Sequence, residues 1–424
     1  MIRQAFKRLW NDKRGNALLI AGAALPLVVG SAGLASDTIQ WTLWKRQLQR
    51  AADSAALAGV YDRIGHDGST SNVLIAVNDD LGRNNHAKAA LLGAPALAYP
   101  TGTNWTNPVQ VSLSIQERLS FSSVFMASPP VITARATGAT VATGVYCVVS
   151  LVDTSATGIR ATGNGEINLG CGMITNSTSL TAAIATGSSS VDATPVAAVG
   201  DIQDSDNWGG AELLPFTVKQ SDPYAGVNVP AFTACKGAAS KIQISNQHDV
   251  VDRSADTGVQ CVSDISVNGT LLLGSATYVI DGGNFSTGAQ SKVSCTGCTI
   301  VLTNSDTSTT PTIGTVDING GSEVRMSAPD SGTFDGILFY QDRRAPESLT
   351  TVNKINGNAN SLLGGAFYFP NQQLQINGTA GLNITCGQFV SYIIEFAGNG
   401  SINNTCTAGY GNNEIMGRHV RLVA

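Results

Sequence analysis

Three short stretches decide how most of this chain folds: GNGEINLGC (163–171), GTAGLNITC (378–386) and GNGSINNTC (398–406). Each reads G-x-x-x-[IL]-N-x-x-C. Around them the tripeptide [VI]-N-G recurs, as VNG at 267 and as ING at 318, 355 and 376. The last two begin 21 residues apart, and Cys386 precedes Cys406 by 20. Strand-like runs such as TYVID, CTIVL and SEVRM recur at a spacing of roughly 20–25 residues, the length of a solenoid repeat. Short alternating strands, Gly/Asn/Asp/Ser turns and few charges at that period predict a parallel β-helix over residues 145–424. Each rung hides its inward side chains only by stacking on the next, so Val, Ile, Leu and Ala should repeat in register. Asn at a fixed place in each rung should form a ladder, because its amide both donates and accepts. An antiparallel β-sandwich is the alternative; it accounts for the turns but not for the three matched nonapeptides.

The coil makes a covalent prediction. All eight Cys lie at or beyond residue 147, an even number that suggests an oxidising compartment. Neighbouring rungs stack about 4.7–4.9 Å apart, inside the Cα separation that a disulfide accepts. Residues one rung apart should therefore pair: Cys386 with Cys406, Cys147 with Cys171, and Cys235 with Cys261. Cys295 and Cys298 would close a tight turn. A redox CxxC wants a helix N-terminus, whereas CTGCTIVLT reads as turn and strand. Zinc would need a second ligand pair, and the four His, at 66, 86, 248 and 419, share no spacing. No metal or cofactor is expected.

Composition points the same way. Of 424 residues, only 13% are charged and 6% aromatic, and 46 are Gly; this suits a translocated, turn-dense β protein better than a cytosolic α/β enzyme. Residues 1–60 hold eight Lys/Arg and three Asp/Glu, a balance of +5, leaving 17 against 27, or −10, for the rest. A basic head suits anionic lipid, and an acidic body does not seek nucleic acid.

The stretch 15–36, GNALLIAGAALPLVVGSAGLAS, has no charge. At ~1.5 Å per residue it can cross the ~30 Å hydrocarbon layer, and Pro26 is tolerable there as a kink. Arg3, Lys7, Arg8, Lys13 and Arg14 precede it, so the positive-inside rule keeps the N-terminus cytoplasmic and sends the remainder out. A cleaved signal peptide is the rival. Trp41 and Trp44, at the place of an aromatic belt, and a helical pattern continuing to about Val60 favour a retained anchor. On that continuation Trp41, Leu48, Ala52, Ala55 and Gly59 share one face. The face tapers from bulky to bare, as a surface for a partner helix would.

These residues carry a resemblance. RGNALLIAGAALPLVVGSAGLASDTIQWTLWKRQLQRAADSAALAG is similar to the N-terminal segment of TadG-like proteins of the Tad (tight adherence, Flp-type) pilus system. The shared features are Arg14-Gly15 before the apolar run, Asp37 just after it, and LQRAADSAALAG at 48–59. Flp pilins carry a Glu where this chain has Ile20, a departure that fits an uncleaved anchor. The stretch from Cys147 to about residue 200 also resembles the envelope-exposed part of some TadG-like proteins. The resemblance implies a single-pass inner-membrane protein with a periplasmic C-terminal domain, or one built into an extracellular pilus. Its implied partners are other Tad proteins through the N-terminal helix; the long repetitive coil itself offers an extended face suited to surface polysaccharide or another envelope protein.

Three domains are expected: stub, span and helical extension at 1–60, a small α/β neck at 61–144 in pilin-like order, and the β-helix. In the neck, residues 70–92 read as helix with Asp79, Asp80 and Arg83 outward. VQVSLSIQ (109–116) and VITARATGATVA (131–142) read as strands, and FSSVFMA between them as a short helix. Parallel β-helices also include polysaccharide lyases. Such an activity would need clustered carboxylates and an Arg or Lys base on adjacent rungs. FDGILFYQDRR, with Asp335, Asp342, Arg343 and Arg344, is the densest candidate; Asp201, Asp204 and Asp206 could ligate Ca²⁺. Neither G-x-S-x-G, HExxH nor a P-loop occurs. The expectation is a non-enzymatic protein with no catalytic residue.

Overall fold

The computed structural model describes residues 14–83, 91–235, 240–378, 380–407, 409–410 and 413–423. Arg3, Lys7, Arg8 and Lys13, and the 84–90 part of the expected second helix, lie outside them. Contacts divide the chain into two compact units: residues up to 141 together with 420–424, and residues 142–419.

In the first unit, helix α1 (Arg14–Gly65) runs for 52 residues through Pro26, about 78 Å at ~1.5 Å per residue. Helix α2 (Val73–Arg83) is shorter than the 70–92 reading and buries Val73, Val77 and Leu81, four residues apart on one face. Asp79 and Arg83 are exposed as expected. Asp80 is not; it turns toward α1, where Ser54 donates to its Oδ1 at 2.9 Å. Strands β1 (Ala96–Ala98), β2 (Trp105–Gln116) and β3 (Val131–Ser150) form an antiparallel meander. Alternate side chains of β2, from Val109 to Ile115, are buried, the period of a sheet with one covered face. The FSSVFMA stretch holds only a 3₁₀ turn, Ser122–Val124.

Two glycines set how closely the helix lies on this sheet. A Cβ at Gly59 would come within 2.8 Å of Val109 Cγ1, and one at Gly138 within 3.0 Å of the Ala56 carbonyl oxygen. Bare backbone on each side permits the contact.

The second unit is a parallel β-helix with three strands per rung. Lys241–Ile244, Val250–Arg253 and Gly258–Val262 form one rung, and each pairs in parallel with its counterpart in the next, Asp264–Val267, Thr270–Leu273 and Ala276–Asp281. One inward column passes through the whole stack in register: Ile242, Ile265, Phe285, Val316, Asn353, Leu374, Ile394, Ile159, Ala183 and Ile202. Apolar interior side chains recur because each rung is the only lid its neighbour has. Aromatic rings stack inside as well, with 5.7 Å between the centroids of Phe339 and Phe367 and 5.3 Å between Phe367 and Phe389.

Stacking order is not chain order. Residues 389–402 pair with the start of the unit, Phe389 with Val148, Ile394 with Ile159 and Ile402 with Ile167. The chain thus enters mid-stack through β3 and winds to Leu213–Leu214 at one end. Residues 215–235 then carry it to the far end, and from Lys241 it winds back to meet its own beginning. Winding in simple sequence order would put 163–171 and 398–406 at opposite ends; here the three nonapeptides are successive levels. Leu382, Ile402 and Ile167 stack, and so do Asn383, Asn403 and Asn168. Asn168 donates to Asn403 at 3.0 Å and Asn403 to Asn383 at 3.4 Å, a short ladder at the turn.

Candidate functional site on the anchor helix and the β-helix flank

From Ile20 through Ser36, α1 offers nearly all its surface outward, including Leu25, Leu27, Val28, Val29 and Leu34. This helix is long and apolar enough to cross a membrane, and most of this stretch is exposed among the described residues. Beyond the apolar run the same helix changes character. Leu48, Ala51, Ala52, Ala55, Ala56, Gly59 and Val60 are buried, covered by β2, β3 and α2 of the same chain. The surface expected to receive a partner helix is therefore filled from within, because small side chains let the meander sit directly on the helix backbone. Trp41 alone of the five packing candidates is exposed, at 43%. Polar side chains fasten the seam: the Lys45 ammonium donates to the Thr133 carbonyl, and Gln49 Nε2 donates to the Arg135 carbonyl at 2.8 Å.

Asp37 marks the boundary between the two halves. Its side chain is buried, and its carboxylate accepts from the Phe121 amide at 2.8 Å and from the Ser122 amide and hydroxyl. One turn on, Gln40 Nε2 donates to Ser120 Oγ at 2.9 Å. Together they hold the 3₁₀ turn between β2 and β3 against α1. The Phe121 ring rests on Gly33, where a Cβ would stand 2.3 Å from it. Nothing in the residue pattern marks Phe121 as a contact of Gly33; the role of Asp37 emerges only once the two meet.

On the β-helix, one outward column is also apolar: Cys261, Val279, Val301, Tyr340, Tyr368, Val390, Val149, Ile174, Ala197 and Leu214. Residues 215–235 lie over it as a strap, with Tyr224 buried and Val227, Val229 and Phe232 packed on. Asn176 and Gln220 exchange two hydrogen bonds of 2.8 Å, and Tyr368 donates to Asp222 at 2.7 Å. Arg343 donates to the Tyr224 and Val227 carbonyls and to the Tyr368 hydroxyl, the last at 2.9 Å. Burial beside Asp222 pushes the Tyr368 hydroxyl up, and burial carries Tyr340 to about 12. The strap ends at the Cys235–Cys261 disulfide. The other bonds are Cys147–Cys171, Cys295–Cys298 and Cys386–Cys406, with Cα separations of 5.7, 6.1 and 4.3 Å.

Of the acid–base candidates, Asp342, Arg343 and Arg344 are occupied by this framework. Asp342 is buried, accepts from the Thr303 hydroxyl at 2.7 Å and pairs with Arg344 at 2.8 Å. Burial opposes its charge, but the bonds from Arg344 and Thr303 prevail and hold the carboxyl below the usual carboxylate range. Arg344 also donates to the Asp306 and Asn304 carbonyls at 2.6 and 2.8 Å. Asp201 binds the Ile202 amide of its own turn at 2.9 Å. Among the described residues no group of three or more His, Cys, Asp or Glu is placed to hold a metal ion.

Fold and anchor together define a single-pass membrane protein carrying a parallel β-helix. Residues 15–62 match the family model described as Tad, putative Flp pilus-assembly TadE/G-like. That match covers the apolar run, Asp37 and the small-residue flank, and ends three residues before α1 does. No curated protein and no solved structure matches the chain.

Proposed function

We propose that the chain is a non-enzymatic component of Tad/Flp pilus assembly. Its helix anchors it among other pilus proteins, and its β-helix stands on the extracytoplasmic side as a surface for adhesion, to surface polysaccharide or to another envelope protein. The observation that carries this reading is the match of residues 15–62 to a pilus-assembly family over the very helix suited to a membrane. Orientation follows from the basic residues ahead of the apolar run, and the eight cysteines fit an oxidising compartment. A non-catalytic β-helix is favoured because Asp342, Arg343 and Arg344 bind backbone and hydroxyl groups of the fold itself.

Deleting the gene in the producing bacterium is expected to abolish pili and surface attachment, with both restored by the full chain. Unchanged piliation and attachment would overturn the reading. Incubation of the full chain with acidic polysaccharides is expected to yield no unsaturated product; its appearance would replace the adhesive role with a lyase.

A further inference from the structure

The turn pinned by Asp37 leaves three apolar side chains outside the protein. Val124 and Phe125 are 76% and 75% exposed and Met126 45%, although Leu119 just before them is buried. Phe121 packs on Phe125 at 5.4 Å between ring centroids, so the four residues form one apolar tip. Its height along α1 is set by two contacts already described. Gly33, beneath Phe121, lies about 27 Å from Gly15 at ~1.5 Å per residue, which is short of the ~30 Å hydrocarbon thickness. Asp37 lies about 33 Å from Gly15 on the same reckoning, just past it.

Backbone chemistry separates lipid from water as the environment of this tip. In hydrocarbon every peptide N–H needs an internal partner, and residues 121–126 all have one. Asp37 takes the Phe121 and Ser122 amides. The Ser123 amide reaches the Leu119 carbonyl at 3.3 Å, Val124 reaches Phe121 at 3.2 Å, and Phe125 and Met126 reach Ser122 at 2.9 and 3.0 Å. Satisfied amide N–H groups and open apolar side chains, continuous with the bare flank of α1, match an acyl-chain environment.

We propose that the Phe121–Met126 tip is a second membrane contact, inserted into the bilayer leaflet on the neck side next to the end of the span. The neck is thereby held at the membrane surface at two points, the α1 helix and the tip, instead of swivelling on one. This rests on α1 crossing the bilayer and is independent of the pilus reading.

A photoreactive benzoyl-phenylalanine placed at Phe125, Leu27 or Tyr61 of the full chain tests it. The chain is reconstituted in phosphatidylcholine/phosphatidylglycerol vesicles carrying alkyne-tagged acyl chains. Acyl-chain adducts are expected at Leu27 and Phe125 and not at Tyr61, some 25 residues beyond the span. Asp37→Ala should diminish the adduct at 125 and leave that at 27 unchanged. An adduct at 27 but none at 125, or protein cross-links at 125 in place of lipid, would overturn the tip while sparing the span. Absence at both positions would overturn both, and equal labelling at 61 would remove the depth argument.

Discussion

The apolar half of α1 and the interior of the β-helix are built from the same side chains and solve opposite problems. In the β-helix, Ile265, Leu374 and Ile394 are fully buried because each rung lies on another. Along α1, Leu27 and Val28 are 76% and 63% exposed. The difference teaches that burial here is a matter of partner: the solenoid supplies its own lid through register, while the anchor relies on a bilayer. Between them the second half of α1 follows a third course, with Ala and Gly covered by the chain's own meander.

Phe367→Ala should show the contrast most strongly. Lying between Phe339 and Phe389, its loss should cost about 3–5 kcal/mol in urea unfolding of the full chain in detergent. Removing the Cys235–Cys261 bond as a double Ala variant should cost about 2–4 kcal/mol. Limited proteolysis should then cut first within 215–235, leaving 241–405 protected; simultaneous cleavage throughout would mean that the strap and the rungs are one cooperative element. Ala55→Leu should overpack the helix–meander seam and destabilise the neck by about 1–3 kcal/mol, read as faster amide exchange in β2 with the β-helix unaffected. Equal stability in that variant would return the flank to the role of a surface for other helices.

Acid probes a smaller contribution. The Asp342 carboxyl is held below its ordinary range, so the stability it supplies is complete above its unfolded value of about 3.9 and is lost as pH falls through the lower folded one. Asp342→Asn should flatten the acid limb of a stability–pH profile between those values. Smallest of all, Leu27→Ala should change unfolding in detergent by less than about 0.5 kcal/mol, as at other sites without protein contacts. A cost like that of Phe367→Ala would show that the anchor has a protein partner in this chain and would break the comparison.

Much of this was open to reading in the sequence. The nonapeptides reported rungs because stacking forces chemically similar side chains into register: Leu382, Ile402 and Ile167 share a column and the pattern at once. The apolar run and its small-residue continuation identified the long helix for a similar reason, since periodicity is local. Other features were beyond its reach. Asp80 turned inward because Ser54 waits on a helix 26 residues earlier. The strap over Tyr340 and Tyr368 shows none of the repeat in sequence, and its Tyr224 and Val227 gain meaning only against that outer column. Nothing in FDGILFYQDRR indicates that Arg343 and Arg344 hold carbonyls far along the chain.

The sequence by itself determined the period of the coil, the pairing distance of its cysteines and the length of the apolar span, all quantities set by neighbours in the chain or by a fixed repeat. Only the tertiary structure decided that residues 148–168 stack on 389–403, that Asp37 pins the Ser122–Val124 turn beside Gly33, and that α1's small-residue flank is already covered. Those outcomes depend on which distant surface wins each contact, and a side-chain pattern specifies its own face without naming what will lie against it.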